Sequence, residues 1–132
     1  MVNMANHTDA RAISTDFNYL TQVYAGIHSF VADEPEADGG ANVGPNPYQL
    51  LMASLATCTS ITLRMYAARK AWSIGDFEVL CDLNPATNAI SRTIKFAQLT
   101  DPEQLKRLLQ MADKCPVHKL LTGNIEVVTV VG

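Results

Sequence analysis

The sequence predicts an α+β fold, because its strand-forming and helix-forming segments follow one another in groups. Short β-branched and aromatic runs occupy residues 12–32, a long helix that carries no charge before Arg64 is predicted over 47–71, and a hairpin over 77–96 precedes two more helices. This order is typical of the α+β class. The 132 residues are enough for one core, so we expect residues 1–132 to form a single domain.

The first strands are predicted between residues 12 and 32. Apolar runs cover Ala12–Ile13, Phe17–Tyr24 and Ile27–Val31, and Gly26 favours a turn between the last two runs. The next segment, 33–47, combines an acidic cluster with glycines and prolines. We expect a solvated loop there, whose glycines let the chain turn tightly and whose last proline suits the first turn of a helix.

The helix that follows belongs to a stretch without any charged or histidine residue, from Gly39 to Leu63. Its apolar residues lie on nearly all sides, which is typical of a helix in a protein core. Its chargeless part, about 48–63, is at the short limit of the roughly 17–25 residues that a membrane span needs, and it also carries several hydroxyl side chains. We therefore expect a buried central helix, no membrane span, and Cys58 inside the protein.

The remaining chain predicts a hairpin, two helices and a last strand. Residues 77–83 alternate apolar and polar side chains, and the return strand covers 90–96. Thr100–Glu103 has the pattern of a capping box, after which leucines follow at helical spacing. A short helix should run from Pro116 to about Gly123, and Ile125–Val131 should close the chain as a strand.

The composition indicates which classes of partner and which location to expect. The net charge of −3 gives no basic surface, so we expect no nucleic acid partner. Charged residues make up 17%, below the roughly 25% of soluble domains, which indicates surface covered by a second copy. The first twelve residues are polar, unlike a signal peptide, and three cysteines do not form a secreted disulfide framework. These features favour a cytoplasmic location.

The cysteines are the candidate reactive groups. Cys58 lies about three turns into its helix without a cation nearby in sequence, and a buried thiol of this kind is more often a small core residue than a nucleophile. Cys115 precedes Pro116 and has lysines and His118 close by, so it is either a thiolate near a helix start or a residue at a helix corner. Cys81, on the inward face of a strand, is interpreted as structural.

Other kinds of site are not favoured. Cys115 and His118 are three residues apart, but a metal site needs more ligands, so we expect no metal. The glycines at 39, 40 and 44 lack the Lys-Ser/Thr of a phosphate-binding loop. We expect no cofactor.

Three runs resemble one protein family. They are Gly39–Leu51, with its Gly-Pro-Asn-Pro; Ala53–Ala67, with Cys-Thr-Ser-Ile-Thr-Leu-Arg-Met-Tyr-Ala; and Lys114–His118, with Cys-Pro-Val-His. The chain resembles the OsmC-like family, which includes osmotically inducible protein C and the organic hydroperoxide resistance proteins, from about Ile27 to its end. The resemblance implies antiparallel sheets around a long buried helix, and an intertwined homodimer with thiol sites at the subunit interface.

The same resemblance implies a thiol peroxidase that reduces organic hydroperoxides. Cys58 would attack the peroxide and become a sulfenic acid, Cys115 would resolve it as a disulfide, and an external thiol reductant would regenerate both. Pro47, Tyr48 and His118 would line the pocket.

The sequence departs from the family at this pocket. In the active peroxidases a glutamate follows the Asn-Pro pair and acts with an N-terminal arginine, whereas here the position is Tyr48. Arg11 is the only arginine ahead of Arg64, which lies about 240° around the helix from Cys58. A buried thiol without a fixed cation has a raised pKa, so weak peroxidase activity or a different substrate is expected.

Two alternatives stay open. The protein could be a dimeric binding protein that holds a small hydrophobic or thiol-bearing ligand, with Tyr48 at the pocket mouth. It could also be a redox-sensing scaffold, in which a disulfide changes only the conformation.

Overall fold

The computed structural model describes residues 8–132, so part of the polar N-terminal segment, residues 1–7, lies outside the described chain. The described chain divides into two compact units, the first ending at Leu51 and the second spanning Met52–Gly132. The α+β prediction is confirmed, while the single domain stays a prediction. The elements are β1 Ala10–Ser14, β2 Thr21–Ala25, β3 His28–Ala32, a 3₁₀ turn at Glu36–Asp38, α1 Pro47–Lys70, β4 Phe77–Asn84, β5 Ala89–Phe96, α2 Pro102–Ala112 and α3 Pro116–Thr122.

The first unit contains an antiparallel sheet in the order β1-β2-β3. Gly26 at φ 59° supplies the left-handed conformation that the tight turn between β2 and β3 needs. The predicted strands are confirmed, except that residues 17–20 form a turn. Thr15 explains the turn, because its hydroxyl accepts from the Phe17 N–H at 3.2 Å and donates to the Leu20 carbonyl at 2.7 Å, in competition with strand pairing.

The acidic loop is less solvated than its composition predicts. Asp33 is buried and accepts hydrogen bonds from the N–H groups of Glu34, Ala41 and Val43. Burial opposes its ionisation, but these three donors together hold the pKa of Asp33 below its ordinary value. Gly40 is required for close approach, because a Cβ there would stand 1.9 Å from the Glu34 carbonyl oxygen. The carboxylate therefore orders the loop.

Helix α1 begins where the proline predicted, and its start has a cap that the sequence analysis missed. The Asn46 carboxamide oxygen accepts from the Gln49 N–H at 2.8 Å, and the Gln49 carboxamide oxygen accepts from the Asn46 N–H at 2.9 Å. This reciprocal pair is a capping box with Asn at the N-cap and Gln at N3. Two otherwise unsatisfied donors at the helix start are thereby paired.

The expectation that the whole chargeless stretch is buried is wrong for a single chain. One face of α1 is buried, whereas Leu51, Ile61 and Met65 on other sides are 38%, 54% and 65% exposed. A lack of charge does not determine which apolar side the chain itself covers. By length and composition α1 is also apolar enough to cross a membrane, with a mean hydropathy of 1.2 over its best window, a test that core helices of water-soluble proteins also pass.

The core of the second unit lies between α1, α2 and the β4–β5 hairpin. The hairpin pairs Phe77 with Phe96 and Leu83 with Ile90, and its inward side chains alternate as predicted. The buried core cluster consists of Leu63, Tyr66, Ala67, Ile74 and Leu108, with Trp72, Phe77, Ile94, Phe96, Leu99 and Met111 packed against it.

Three details of the C-terminal half differ from prediction. The N-cap of α2 is Asp101, whose carboxylate accepts from the Glu103 N–H at 3.0 Å, and not Thr100. Leu109 faces outward at 55% exposure, although its spacing placed it with the buried leucines. The predicted strand Ile125–Val131 belongs to no helix or strand within residues 8–132, because β-propensity alone forms no ladder without a neighbouring strand.

The adjacent leucines of α2 test this core. We expect Leu108→Ala to lower the free energy of unfolding by about 2–5 kcal/mol, because Leu108 is fully buried and its loss leaves a cavity. Leu109→Ala, the matched control on the exposed side, should cost well under half of that. Urea denaturation at one fixed protein concentration measures both, and equal losses would contradict this core.

Candidate functional site

The second unit brings Cys58 and Cys115 together. Cys58 lies on α1, Cys115 lies immediately before α3, and the two thiols are within hydrogen-bonding reach of each other. Both are free thiols. They differ in access, because Cys58 is partly buried whereas Cys115 is fully buried. A molecule arriving from solvent would therefore meet Cys58 first.

The surroundings of Cys58 disfavour its thiolate. Burial raises the pKa of Cys58, the nearby Cys115 thiol raises it further, and the Val117 N–H and the Thr62 hydroxyl act in the opposite direction. None of these four influences is a cation. The net result is a pKa above the ordinary value, in agreement with the physical argument that a buried thiol without a fixed positive charge stays protonated.

Cys115 has polar contacts with two groups. It is the N-cap residue of α3, as the sequence predicted, and its sulfur accepts a hydrogen bond from the His118 N–H at 3.3 Å. Its sulfur also lies 3.9 Å from the Thr59 hydroxyl oxygen on α1. Thr59 is itself fully buried. The resolving role expected for Cys115 therefore falls on a thiol that is sheltered and in contact with two potential donors.

A charged network adjoins these thiols. Arg92 on β5 donates to the Thr59 hydroxyl oxygen at 3.1 Å and forms an ion pair with Asp113 at 2.9 Å. We call Arg92, Thr59 and Asp113 the Arg92 network. The Arg92 side chain is only 13% exposed, and His118 Nδ1 lies 3.9 Å from the same carboxylate oxygen of Asp113.

Arg92 was not among the site residues predicted from the sequence, although the strand pattern contains a signal for it. Residues 90–96 alternate inward apolar and outward polar side chains, and Arg92 occupies an inward position between Ile90 and Ile94. A charged residue on the buried face of a strand needs a partner, so this break in the pattern indicates a polar site behind the sheet.

Cys81 stands directly opposite Arg92 in the hairpin register. Burial raises the pKa of Cys81, Arg92 opposes that effect, and Cys115 adds to it. The third thiol therefore lies on the same inward face as the charged network. Its structural role stays a prediction.

A cavity of about 260 Å³ adjoins the Arg92 network. Its lining combines apolar side chains with the Arg92 guanidinium and the His118 imidazole. The lining residues are Leu55, Asn88, Ile90, Arg92, His118, Leu121 and Thr122. A small molecule with an apolar body and a polar end would match this lining.

The other predicted pocket residues belong to the first unit. Tyr48 is 61% exposed in the first turn of α1, and Pro47 lines a different cavity of about 230 Å³. Arg11 stacks on the Tyr24 ring at 4.9 Å in the same unit. Of the three predicted pocket residues, His118 is the one that contacts Cys115.

Arg64 is occupied away from the thiols. It donates to the Gly75 carbonyl at 2.8 Å and lies over the Phe77 ring at 4.7 Å. Across residues 8–132, no group of three or more His, Cys, Asp or Glu side chains is arranged to hold a metal ion.

Sequence and structure comparisons identify similar proteins. A family model described as OsmC-like protein matches residues 38–130. Among curated proteins, none matches the chain.

Solved structures share the fold. An OsmC-like protein from Mycoplasma pneumoniae gives a TM-score of 0.70 at 20% identity, covering 88% of this chain and 87% of that one. The organic hydroperoxide resistance protein OsmC from Legionella pneumophila gives 0.64 at 23% identity, with 89% and 90% covered. An organic hydroperoxide resistance protein from Elizabethkingia anophelis, with thiocyanate bound, gives 0.64 at 22% identity, with 89% covered in both. At these identities the likeness shows the fold alone.

The pKa shift of Cys58 has a measurable consequence. Because burial raises the pKa of Cys58, its thiolate fraction at a given pH is lower than that of an ordinary cysteine, whose pKa is about 8.5. Alkylation of Cys58 by iodoacetamide, followed by peptide mass mapping, should therefore rise at higher pH in the native chain than in the same chain in urea. A native profile displaced toward lower pH would contradict the effect of burial.

Proposed function

Since the chain belongs to the OsmC-like protein family, we propose that it is a cytoplasmic, cofactor-free thiol peroxidase that reduces organic hydroperoxides through Cys58 and Cys115. The observation that carries this proposal is the contact between two free thiols of unequal exposure. The names of the Legionella and Elizabethkingia neighbours favour the same substrate class. Free cysteines suit a reducing compartment.

The difference in access assigns an order to the thiols. The Cys58 sulfur, as thiolate, attacks one peroxide oxygen; the O–O bond breaks, an alcohol leaves after taking a proton, and Cys58 becomes a sulfenic acid. Cys115, as thiolate, then attacks the Cys58 sulfur; the S–O bond breaks, the oxygen takes a proton from solvent and leaves as water, and a disulfide remains. Two equivalents of an external thiol reductant restore both cysteines.

Two features bear on substrate and rate. The cavity beside the Arg92 network has apolar walls formed by Leu55, Ile90 and Leu121, which suits an organic hydroperoxide better than hydrogen peroxide. The raised pKa of Cys58 leaves little thiolate at neutral pH, so the first step should be slow for a peroxidase. The presence of Tyr48 in place of the glutamate of active relatives also favours a slow first step.

The active form in this proposal is a homodimer. The side of α1 that one chain leaves open carries Ile61 and Met65, and segment 125–131 exposes β-branched side chains, with Val127 at 83% and Val130 at 80%. Exposed apolar surface of this kind is typical of an interface. A second copy would cover both.

Light scattering tests the dimer. We expect a mass in solution of twice the 14.4 kDa of one chain. Ile61→Lys, which places a charge on the open side of α1, should shift the mass toward that of one chain. A single-chain mass for the unmodified protein at micromolar concentration would contradict the proposed assembly.

A stoichiometric peroxide assay tests the reaction. With excess cumene hydroperoxide, the protein should lose two of its three thiols per chain and form one disulfide. Cys58→Ser should consume peroxide only at the background rate, whereas Cys115→Ser should hold Cys58 as a sulfenic acid, trapped by dimedone and detected by mass. Cys81→Ser is the matched control and should still form the disulfide.

Unchanged thiols in the unmodified protein would reject the peroxidase. A second function, binding without turnover, is then favoured by one observation: none of the side chains that line the 260 Å³ cavity is a cysteine. In that case Cys58→Ser should bind a small apolar ligand as well as the unmodified protein does, whereas a peroxidase site would show consumption that depends on Cys58.

A further inference from the structure

Thr59 occupies a position between the resolving thiol and a fixed positive charge. Its hydroxyl oxygen lies 3.9 Å from the Cys115 sulfur and accepts a hydrogen bond from Arg92 at 3.1 Å. The same hydroxyl is within 2.8 Å of the Leu55 carbonyl oxygen, one helical turn earlier. Thr59 and Cys115 are both fully buried, so water does not compete for these contacts.

The hydrogen-bond inventory of this hydroxyl restricts what it can do. A threonine hydroxyl has one hydrogen to donate and two lone pairs to accept with. Arg92 uses a lone pair, so the single hydrogen points either to the Leu55 carbonyl or to the Cys115 sulfur. A neutral thiol accepts weakly and leaves the hydrogen on the carbonyl. A thiolate accepts strongly and attracts it.

Arg92 favours donation of the Thr59 hydrogen to a Cys115 thiolate. Its guanidinium is held by Asp113 at 2.9 Å on one side and by Thr59 on the other, which fixes the positive charge next to the hydroxyl. A hydroxyl oxygen that accepts from a guanidinium becomes a better donor, because hydrogen bonds in a chain polarise one another. Negative charge on Cys115 is thus met by the His118 N–H and by the Thr59 hydroxyl.

We propose that Thr59, polarised by Arg92, is a positioning residue that stabilises and orients the Cys115 thiolate when it attacks the sulfur of Cys58. This inference rests on the proposed function for its biological step, but the attack itself can be measured without a peroxide. Thr59 acts through Cys115 and touches no substrate. Its loss should slow the closing of the disulfide and leave the first reaction of Cys58 in place.

Ellman's reagent isolates the closing step. One equivalent reacts with the more exposed Cys58 and leaves a mixed disulfide with thionitrobenzoate. The Cys115 thiolate, whose proton passes to solvent, then forms a bond to the Cys58 sulfur. The bond from Cys58 to thionitrobenzoate breaks, and the electron pair leaves on the coloured thionitrobenzoate thiolate. The rate of this second release of colour measures the attack by Cys115 directly, in a Cys81→Ser background that removes the third thiol.

We expect Thr59→Val, which is nearly isosteric, to slow the second release by about tenfold, the factor that a hydrogen bond to a charged group supplies. Thr59→Ser keeps the hydroxyl and should restore most of the rate. Arg92→Met leaves Thr59 in place and should also slow the release, which keeps the test usable if Thr59→Val does not fold.

Two neighbouring threonines provide matched controls. Thr57 donates to the Ala53 carbonyl at 2.8 Å on the exposed side of α1, so Thr57→Val should change neither release. The Thr62 hydroxyl contacts Cys58, so Thr62→Val should affect the first release rather than the second. Release by Thr59→Val at the unmodified rate, or failure of Thr59→Ser to restore it, would overturn the assignment.

The two proposals fail in different ways. If cumene hydroperoxide leaves the thiols intact but the second colour release depends on Thr59, the peroxidase is rejected and the positioning role stands. If hydroperoxide forms the disulfide but the second colour release is equally fast in Thr59→Val and in the unmodified protein, the positioning role is rejected and the peroxidase stands.

Discussion

The contact between helix α1 and the residue that caps helix α3 is the constraint on which the site depends. Thr59 and Cys115 are both fully buried at this contact, and Cys58 lies beside Thr59 in the sequence. The junction holds Cys115 in one place because its sulfur already serves as the acceptor for the first turn of α3. The same residue is therefore a helix cap and a candidate nucleophile, and its geometry is fixed before any chemistry begins.

Burial acts on both thiols. It raises the pKa of Cys58, which reduces the supply of thiolate at the sulfur that solvent can reach. It also removes water from the contacts of Cys115 with the His118 N–H and the Thr59 hydroxyl, so that solvent does not compete for them. The buried positive charge of Arg92 is placed on the side of Cys115. For the proposed peroxidase, this arrangement predicts a slow first step at Cys58.

The elements whose structure is decided by nearby residues were predicted correctly from the sequence. The start of α1 followed from Pro47, and the β4–β5 hairpin followed from strict alternation. The predictions were wrong where the structure depends on the three-dimensional surroundings of a residue. Asp101 displaced Thr100 as a cap, and segment 125–131 has the composition of a strand but pairs with no strand among residues 8–132. The open side of α1 is the same case, since no pattern in the sequence states which apolar side remains uncovered.

For the site, the sequence by itself determined the reactive groups: a thiol in the middle of a chargeless helix, and a second thiol followed by proline at a helix start. These are local properties of residue type and spacing. Only the tertiary structure decided that the two sulfurs meet, that Cys115 is the sheltered one, and that Arg92 reaches Thr59 from the opposite sheet. The reason is physical, because the hairpin register and the packing of β5 against α1 place a charge from residue 92 beside residues 59 and 113, and no spacing along the chain encodes that distance.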